Sequence, residues 1–296
     1  MAKIKYNGLL FTFLAGVLWG TISISVRGLN SAGISSMQIV FIRGFLTVVL
    51  LGAYMLIFNR KLFKIKLKDI WCFFGTGIVS VLVFTFFHFY TMTIASISFE
   101  TVMMYTAPFF VIFFSAILFG EKITVKKLIA SIIAFSGCAL VSGLVTGNDE
   151  IPFVAVLTGL GAGFFYALYT IFGRYAVDRN YDTLTITFYT FVFSAVGSAF
   201  FAKPWEIAEI AKQDKSVMIY AVVIAVLNTI LPYLLYNIGL KNAENGPAII
   251  ASSIEPVVAT VVGIIVYDEI PDIFSAIGII MVLFAVVLLN LNKKKQ

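Results

Sequence analysis

The sequence predicts an all-α integral membrane protein with ten transmembrane helices, arranged as two inverted five-helix repeats. Three observations support this fold class. Of the 296 residues, 60% are hydrophobic and only 12% are charged. Ten apolar segments are each about 20 residues long, enough to cross roughly 30 Å of hydrocarbon as a helix. A proline followed thirteen residues later by a glutamate occurs once in each half of the chain.

The ten apolar segments are continuous, whereas the strands of a membrane barrel would alternate apolar and polar residues. We therefore expect helices. The first segment follows Lys3 and Lys5, but it is too long for a signal-peptide core and has no small-residue cleavage site, so we expect it to be retained. The segments cover approximately residues 8–27, 37–58, 70–91, 98–119, 126–145, 152–173, 183–201, 217–240, 247–267 and 272–291.

The two halves of the chain match each other along most of their length. Pro108 and Glu121 correspond to Pro256 and Glu269 at a constant offset of 148 residues. We therefore expect two repeats, residues 1–147 and residues 148–296. Further matches, at an offset of 147, are residues 16–20 with 163–167, Arg27 with Arg174, and Phe41 with Phe188.

The basic residues are sorted by loop, which predicts the orientation. If both termini are cytoplasmic, nearly all Lys and Arg residues lie inside, as the positive-inside rule requires for a protein of the cell membrane. Because each repeat has an odd number of helices, the second enters the bilayer in the opposite orientation to the first. The exceptions are Arg27, Lys203, Lys212 and Lys215 in outer loops and Arg43 within the second helix.

Several functional classes find no support in the sequence. Cys72 and Cys138 are each inside an apolar segment, so neither a disulfide framework nor a metal site is expected. The net charge of +6 follows from membrane orientation, so no nucleic-acid partner is implied. No phosphate-binding loop, nucleophile elbow or pair of metal ligands is present, so we expect neither an enzyme nor a cofactor.

These patterns resemble the ten-helix EamA-type members of the drug/metabolite transporter superfamily. The resemblance implies a central cavity lined chiefly by the first, third and fourth helices of each half, with the fifth helices peripheral. It does not imply a substrate, because family members carry amino acids, amines, nucleosides, sugars and other metabolites. The residues that carry the resemblance are Trp19-Gly20, Phe41-Ile42-Arg43, Tyr105 to Pro108 through Gly120-Glu121-Lys122, and Glu255-Pro256 through Glu269.

Inverted repeats are a recurrent plan of secondary transporters, because exchanging the conformations of the halves exchanges which side is open. We therefore expect a secondary active transporter, an exporter or exchanger of a small polar or amphipathic metabolite such as an amino acid or amine. The coupling ion would be a proton or sodium. The sequence leaves open whether the protein forms a homodimer. The alternative is a membrane ligand sensor or partner subunit without transport. A passive channel is disfavoured, since no continuous ring of polar residues is visible.

Glu255 is the candidate coupling residue. It lies about eight residues into its segment, roughly 12 Å deep, where a carboxylate is costly unless it is paired, protonated or hydrated. Pro256 cannot donate a hydrogen bond to the Ser252 carbonyl, so we expect a free acceptor beside the Ser253 hydroxyl. Together these groups would form a proton or cation site. The alternative is a structural glutamate bonded to a neighbouring helix.

His88 and Glu100 are the candidate gating residues. His88 is the single histidine, it lies near the outer end of the third helix, and Glu100 opens the next helix at the same level. A pair that titrates near neutral pH would suit an outer gate. The alternative is an interfacial histidine in contact with lipid headgroups.

Ser252 and Ser253 are also candidates for contact with substrate, together with five further residues. Trp19 and Tyr166 occupy matched positions in the first helix of each half, and Tyr105 lies three residues before Pro108. Their rings would suit an amphipathic or cationic solute. Asn228 and Tyr236 share one face of the eighth helix, matching Ser80 and His88 in the third.

Other notable residues are expected to be structural. Arg43 lies within snorkelling distance of the outer surface, and the second helix is not expected to line the cavity. Glu121 and Glu269 are expected to cap helices or to pair with loop cations. The small-residue pairs Gly16/Gly20 and Gly159/Gly163 predict close packing of helices.

Overall fold

A computed structural model describes residues 8–142, 144, 151–268 and 270–290 of this protein, and all regular secondary structure within these ranges is helical. The predicted repeat boundary near residue 148, and Glu269, lie outside the described residues. Ten helical segments follow one another: α1 (Gly8–Ser31), α2 (Ser36–Phe58), α3 (Leu67–Ile94), α4 (Ile97–Met104 and Ala107–Phe119), α5 (Val125–Val141), α6 (Phe153–Asp178), α7 (Thr183–Ala202), α8 (Ser216–Asn242), α9 (Asn245–Ser252 and Glu255–Tyr267) and α10 (Ile273–Asn290).

Eight of these segments are long and apolar enough to cross a membrane. The two others, α5 and α10, are apolar helices of 17 and 18 residues; at 1.5 Å per residue they reach about 26 Å, most of the hydrocarbon thickness. The fold class predicted from the sequence is thereby confirmed. A short helix, Pro204–Gln213, connects α7 to α8.

The helices of the two halves pack in a symmetric pattern. Helix α1 of the first half packs against α8 and α9 of the second half, and helix α6 of the second half packs against α3 and α4 of the first. Like helices pair across the centre, α2 with α7 and α4 with α9, while α5 and α10 form the last pair. Each half therefore supplies its first helix to the other half's third and fourth.

Contacts between the loops agree with a chain that crosses from one side to the other with each successive helix. On the side where α1 begins, Arg179 Nε lies 3.0 Å from Asp69 Oδ1 and joins the α6–α7 connection to the start of α3. On the opposite side, the Gln38 amide donates to Glu206 at 3.4 Å. There too, the Arg27 guanidinium carbon lies 4.1 Å from the centre of the Tyr267 ring.

Both α4 and α9 are broken near their middle. The first half-helix of α4 ends at Met104 and the second begins at Ala107, while in α9 the corresponding residues are Ser252 and Glu255. The breaks are related by the offset of 148 residues found in the sequence. A proline sits at the second position of each new half-helix, where its missing N–H leaves no hydrogen bond unmade.

The second half-helices end in the same way although their residues differ. Gly120 has φ 67° and Asp268 has φ 54°, and their backbone N–H groups bond back to the carbonyls of Ser115 and Gly263. Both residues are left-handed C-caps, a conformation that glycine adopts freely and aspartate tolerates. The difference between Gly120 and Asp268 therefore leaves the equivalence of the two halves intact.

Glu121 caps a helix of the opposite half, and its predicted structural role is confirmed. Its Oε1 accepts a 2.7 Å hydrogen bond from the backbone N–H of Asn245, the first residue of α9. Lys127 lies 3.4 Å from Glu121 Oε2 and 2.7 Å from Glu244 Oε2. The carboxylate thus satisfies an orphan N–H at a helix N-terminus, where negative charge is stabilising.

The predicted close packing of the small-residue pairs is also confirmed. Gly16 contacts the Ser252 carbonyl, and a Cβ built on Gly20 would lie 2.6 Å from the Glu255 carbonyl oxygen. In the other half, Gly163 contacts the Thr106 hydroxyl oxygen. The first helix of each half therefore lies directly against the break in the fourth helix of the other.

We predict that Gly163→Ala destabilises the protein while Gly173→Ala, on the same helix, does not. At Gly163 the new methyl group would meet Thr106 and would lie 2.7 Å from the Met103 carbonyl oxygen, whereas at Gly173 its nearest neighbour is 3.4 Å away. Overpacking of this kind costs about 1–3 kcal/mol. Melting temperatures in detergent test the difference, and equal values for both variants would contradict the packing described.

Candidate functional site

A small cavity lies between the two halves, at the level of the helix breaks. Its volume is about 50 Å³, room for a few water molecules. Five helices line it, namely α1, α2, α3, α6 and α8, so the first and third helices of each half contribute as the family resemblance implied. The lining residues are Trp19, Arg43, Ser80, Val81, Phe84, Thr85, Tyr166, Tyr169, Thr170, Tyr233 and Tyr236.

The lining corrects two expectations. The fourth helices contribute no lining residue, because the glycine contacts of α1 and α6 cover their breaks. Tyr105 is accordingly 4% exposed and packs with Ile254 and Val257, behind Tyr166 and Phe84. The second helix, by contrast, does reach the cavity through Arg43. Whether Arg43 reaches the cavity depends on the tilt of α2 relative to the other helices, which cannot be derived from the sequence.

Aromatic rings form most of the cavity wall. Trp19 lies edge-on to Tyr233 with ring centres 5.3 Å apart, and its ring centre is 5.5 Å from that of Tyr236. Tyr169 packs edge-on to Tyr233 at 5.0 Å, and Tyr166 lies 5.3 Å from Phe84. Such contacts hold the rings in fixed orientations. The predicted residues Trp19, Tyr166 and Tyr236 therefore share one wall.

Two tyrosine hydroxyls of this wall are fixed by hydrogen bonds. Tyr236 and Thr170 share a hydrogen bond of 2.8 Å, and the Asn237 amide donates to the Tyr169 hydroxyl at 3.1 Å. Sequence reasoning did not identify Tyr169, Thr170 or Tyr233. The first two follow Tyr166 by three and four positions, so helical periodicity could have placed them on its face.

Arg43 brings a positive charge to the cavity without a counter-ion. Its Nε is buried and has no hydrogen-bond partner, and no carboxylate of the described residues lies within 4.0 Å of the guanidinium. The guanidinium carbon lies 5.8 Å from the centre of the Phe191 ring and 5.9 Å from that of Tyr233. Aromatic side chains therefore surround a cation that has no salt-bridge partner among the described residues.

Glu255 begins the second half of α9, against Gly20. Within the described ranges it makes neither a salt bridge nor a side-chain hydrogen bond, and Arg43 and Glu100 are the charged groups whose fields reach it. The Ser252 carbonyl, predicted to be a free acceptor beside it, lies against Gly16. The hydroxyls of Ser252 and Ser253 both donate to the Ile249 carbonyl, at 2.8 and 3.3 Å.

His88 and Glu100 are brought together as their positions in the sequence suggested. His88 Nδ1 lies 2.5 Å from Glu100 Oε1, at an angle unfavourable for a hydrogen bond. The Glu100 side chain is fully buried and that of His88 is 21% exposed. This geometry favours a paired histidine over one that contacts lipid headgroups.

Asn228 lies away from the cavity and bonds to α1. Its amide donates to the Leu18 carbonyl at 2.8 Å and to the Thr21 hydroxyl at 2.9 Å, and its oxygen accepts from Ser25 at 3.2 Å. α1 is interrupted at Thr21, and Asn228 lies in a wider, π-helical turn of α8. The side chain thus satisfies an irregular helix, where buried polar groups need partners, and is not placed to meet substrate.

The described residues contain no group of three His, Cys, Asp or Glu side chains arranged to hold a metal ion. A cation in the cavity would therefore meet tyrosine rings and hydroxyls instead of a ligand cage. The chemistry that this site offers is binding, charge recognition and proton exchange.

Comparison with known proteins gives a consistent match. The sequence matches the EamA-like transporter family over residues 6–143 and 153–291, one match in each half. An uncharacterized transporter of Archaeoglobus fulgidus is 27% identical over 289 residues, covering 93% of each chain. The uncharacterized transporter YxxF of Bacillus subtilis is 23% identical over 297 residues, covering 99% of this chain and 92% of the relative.

A solved structure, described as "Crystal structure of protein", has the same fold. It superposes with a TM-score of 0.77 at 17% sequence identity and covers 96% of both chains. At this identity the similarity concerns the fold alone.

We predict that Asn228→Ala destabilises the protein whereas Asn242→Ala does not. The first change removes three buried interactions with α1, worth about 1 kcal/mol each; the second removes one bond from an exposed amide to the Ile238 carbonyl. Thermal melts of both variants in detergent provide the measurement. An unchanged melting temperature for Asn228→Ala would refute its role in supporting α1.

Proposed function

This chain belongs to the EamA-like transporter family, and from that premise we propose that it is a secondary active transporter of a small polar or amphipathic metabolite. Amino acids and amines are the substrate classes considered, because aromatic rings and hydroxyls of the kind that wall the cavity bind such solutes. Export or exchange, driven by protons, is the proposed direction of transport. The proposed location is the cell membrane, with both termini cytoplasmic.

The observation that carries this proposal is that the two halves share one fold but differ in their charged residues. Arg43, His88 and Glu100 belong to the first half and Glu255 to the second. The residues at their symmetry-related positions are neutral: Thr190, Tyr236, Ala248 and Ala107 respectively. The shared fold therefore needs none of these four charges. Ionisable residues at membrane depth are costly and usually functional.

Alternating access also finds support in the packing. The wall is formed by α1 and α3 of one half with α6 and α8 of the other. A cavity this small can admit a solute only if these helices separate, and the symmetry of the halves offers two equivalent ways to do so, one toward each side of the membrane. We propose Glu255 as the proton-carrying residue and the His88–Glu100 pair as the outer gate.

We predict that Glu255→Gln abolishes proton-driven accumulation of substrate while leaving the protein folded. Glutamine keeps the shape and hydrogen-bonding capacity of glutamate but cannot exchange a proton, so substrate-for-substrate exchange is expected to persist. The measurement is simultaneous proton and substrate flux in liposomes with an imposed pH gradient, using a substrate found by a thermal-shift screen of metabolites.

The matched control is Glu209→Gln, which removes an exposed carboxylate on the connecting helix and is expected to behave as wild type. Wild-type coupling in the Glu255 variant would show that this residue is only a structural acid. Binding of metabolites without any flux in the wild type would support a sensor in place of a transporter.

We predict that His88→Gln flattens the pH dependence of transport between about pH 5 and 8, where histidine usually titrates. Since Glu100 is the acid within salt-bridge distance of His88, Glu100→Gln is expected to alter the same part of the profile. Initial rates measured at several pH values, at equal pH on both sides, provide the test. A wild-type profile in both variants would exclude the pair as a gate.

A further inference from the structure

The guanidinium of Arg43 is the one cation among the cavity-lining residues, and no salt bridge within the described residues neutralises it. Its Nε is buried without a partner, and in the described part of the chain no acidic oxygen is within salt-bridge distance. Partial compensation comes from the Tyr233 side chain, which is within hydrogen-bonding reach, and from the field of Glu255. The ring faces of Phe191 and Tyr233 lie near 6 Å from the guanidinium carbon. At that separation a cation–π contact is weak, whereas the desolvation of a charge is costly.

The packing of the fold does not require an arginine at this position. The symmetry-related residue is Thr190, which is fully buried and shares a 2.6 Å hydrogen bond with Thr76. A small hydroxyl is thus sufficient where α7 crosses α3. In the first half, the same place in the repeat instead carries a long charged side chain that ends at the cavity.

We propose that Arg43 binds the carboxylate of the transported solute, so that the substrate class is an amphipathic monocarboxylate with a planar or apolar body. This proposal rests on the transport function proposed above. The guanidinium offers paired N–H donors in a fork that matches a carboxylate. A dianionic phosphate would be only half compensated, because no second Lys or Arg lines the cavity.

The aromatic wall is suited to the rest of such a solute. Trp19, Tyr166 and Tyr233 lie around the cavity and present ring surfaces to it. A flat apolar body can pack against these rings while its carboxylate meets Arg43. A simple amine would place its ammonium group in the field of the guanidinium and would be disfavoured there. An amino acid remains compatible, since its own carboxylate would neutralise the guanidinium beside its ammonium group.

The test compares three probes with one shared aromatic body: 3-phenylpropionate, L-phenylalanine and phenethylamine. Binding to the purified protein is measured by calorimetry for wild type, Arg43→Lys, Arg43→Gln and the control Arg60→Gln. Arg60 lies just beyond the end of α2, is exposed, and bonds to the Leu56 carbonyl. We expect 3-phenylpropionate and L-phenylalanine each to bind the wild type and Arg60→Gln with the same affinity. Phenethylamine is expected to bind neither protein.

Removal of the charge in Arg43→Gln is expected to weaken carboxylate binding about 10- to 100-fold, the usual cost of a lost charged hydrogen bond. Arg43→Lys keeps the charge but loses the fork, so a smaller loss is expected. If the Gln variant does not fold, the Lys variant decides: carboxylate binding as in wild type would overturn the proposal. Binding of phenethylamine alone, or of none of the probes, would also overturn it.

Flux measurements separate this proposal from the transport function. Carboxylate binding that depends on Arg43, without flux in liposomes, would support the anion site and refute transport. Proton-driven flux of phenethylamine, with carboxylates neither bound nor moved, would support transport and refute the anion site.

Discussion

The contact on which this structure depends is the one between the first helix of each half and the broken fourth helix of the other. The helix ends at each break leave backbone groups without helical partners, and in a bilayer such groups must be covered by protein. Gly16 and Gly20 cover the break in α9, and Gly163 covers the break in α4. Only residues without a side chain allow the two backbones to approach so closely.

This contact also explains where the cavity lies. Because α1 and α6 are held against the breaks, Trp19 and Tyr166, each one turn beyond a packed glycine on the same helix, are held at the cavity wall. The third helices of each half complete the wall, and the fourth helices stay behind it. The irregular turns of α1 and α8 are joined by Asn228, so the regions that depart from ideal helix geometry are hydrogen-bonded to one another.

Much of this arrangement could be predicted from the sequence, because it depends on local chemistry. The spacing from Pro108 to Glu121 contains a helix start, a helix end and a capping carboxylate, and each follows from residue type. The position of Arg43 could not be predicted in this way. Whether a long side chain on α2 reaches the centre or the surface depends on the lean of one helix against another. Likewise, nothing local to Asn228 indicates that its partners lie more than 200 residues away in the chain.

The most direct test of the account is the orientation of the two halves. The connection between α4 and α5 and that between α9 and α10 are equivalent in the repeat, and the account places them on opposite sides of the membrane. Cys72 and Cys138 are buried, so single cysteines at Lys122 and Ile270, both exposed, can be labelled with a membrane-impermeant maleimide in intact cells and in inverted vesicles. We predict labelling of Lys122→Cys only in inverted vesicles and of Ile270→Cys only in intact cells. Labelling of both from the same side would contradict the inverted repeat.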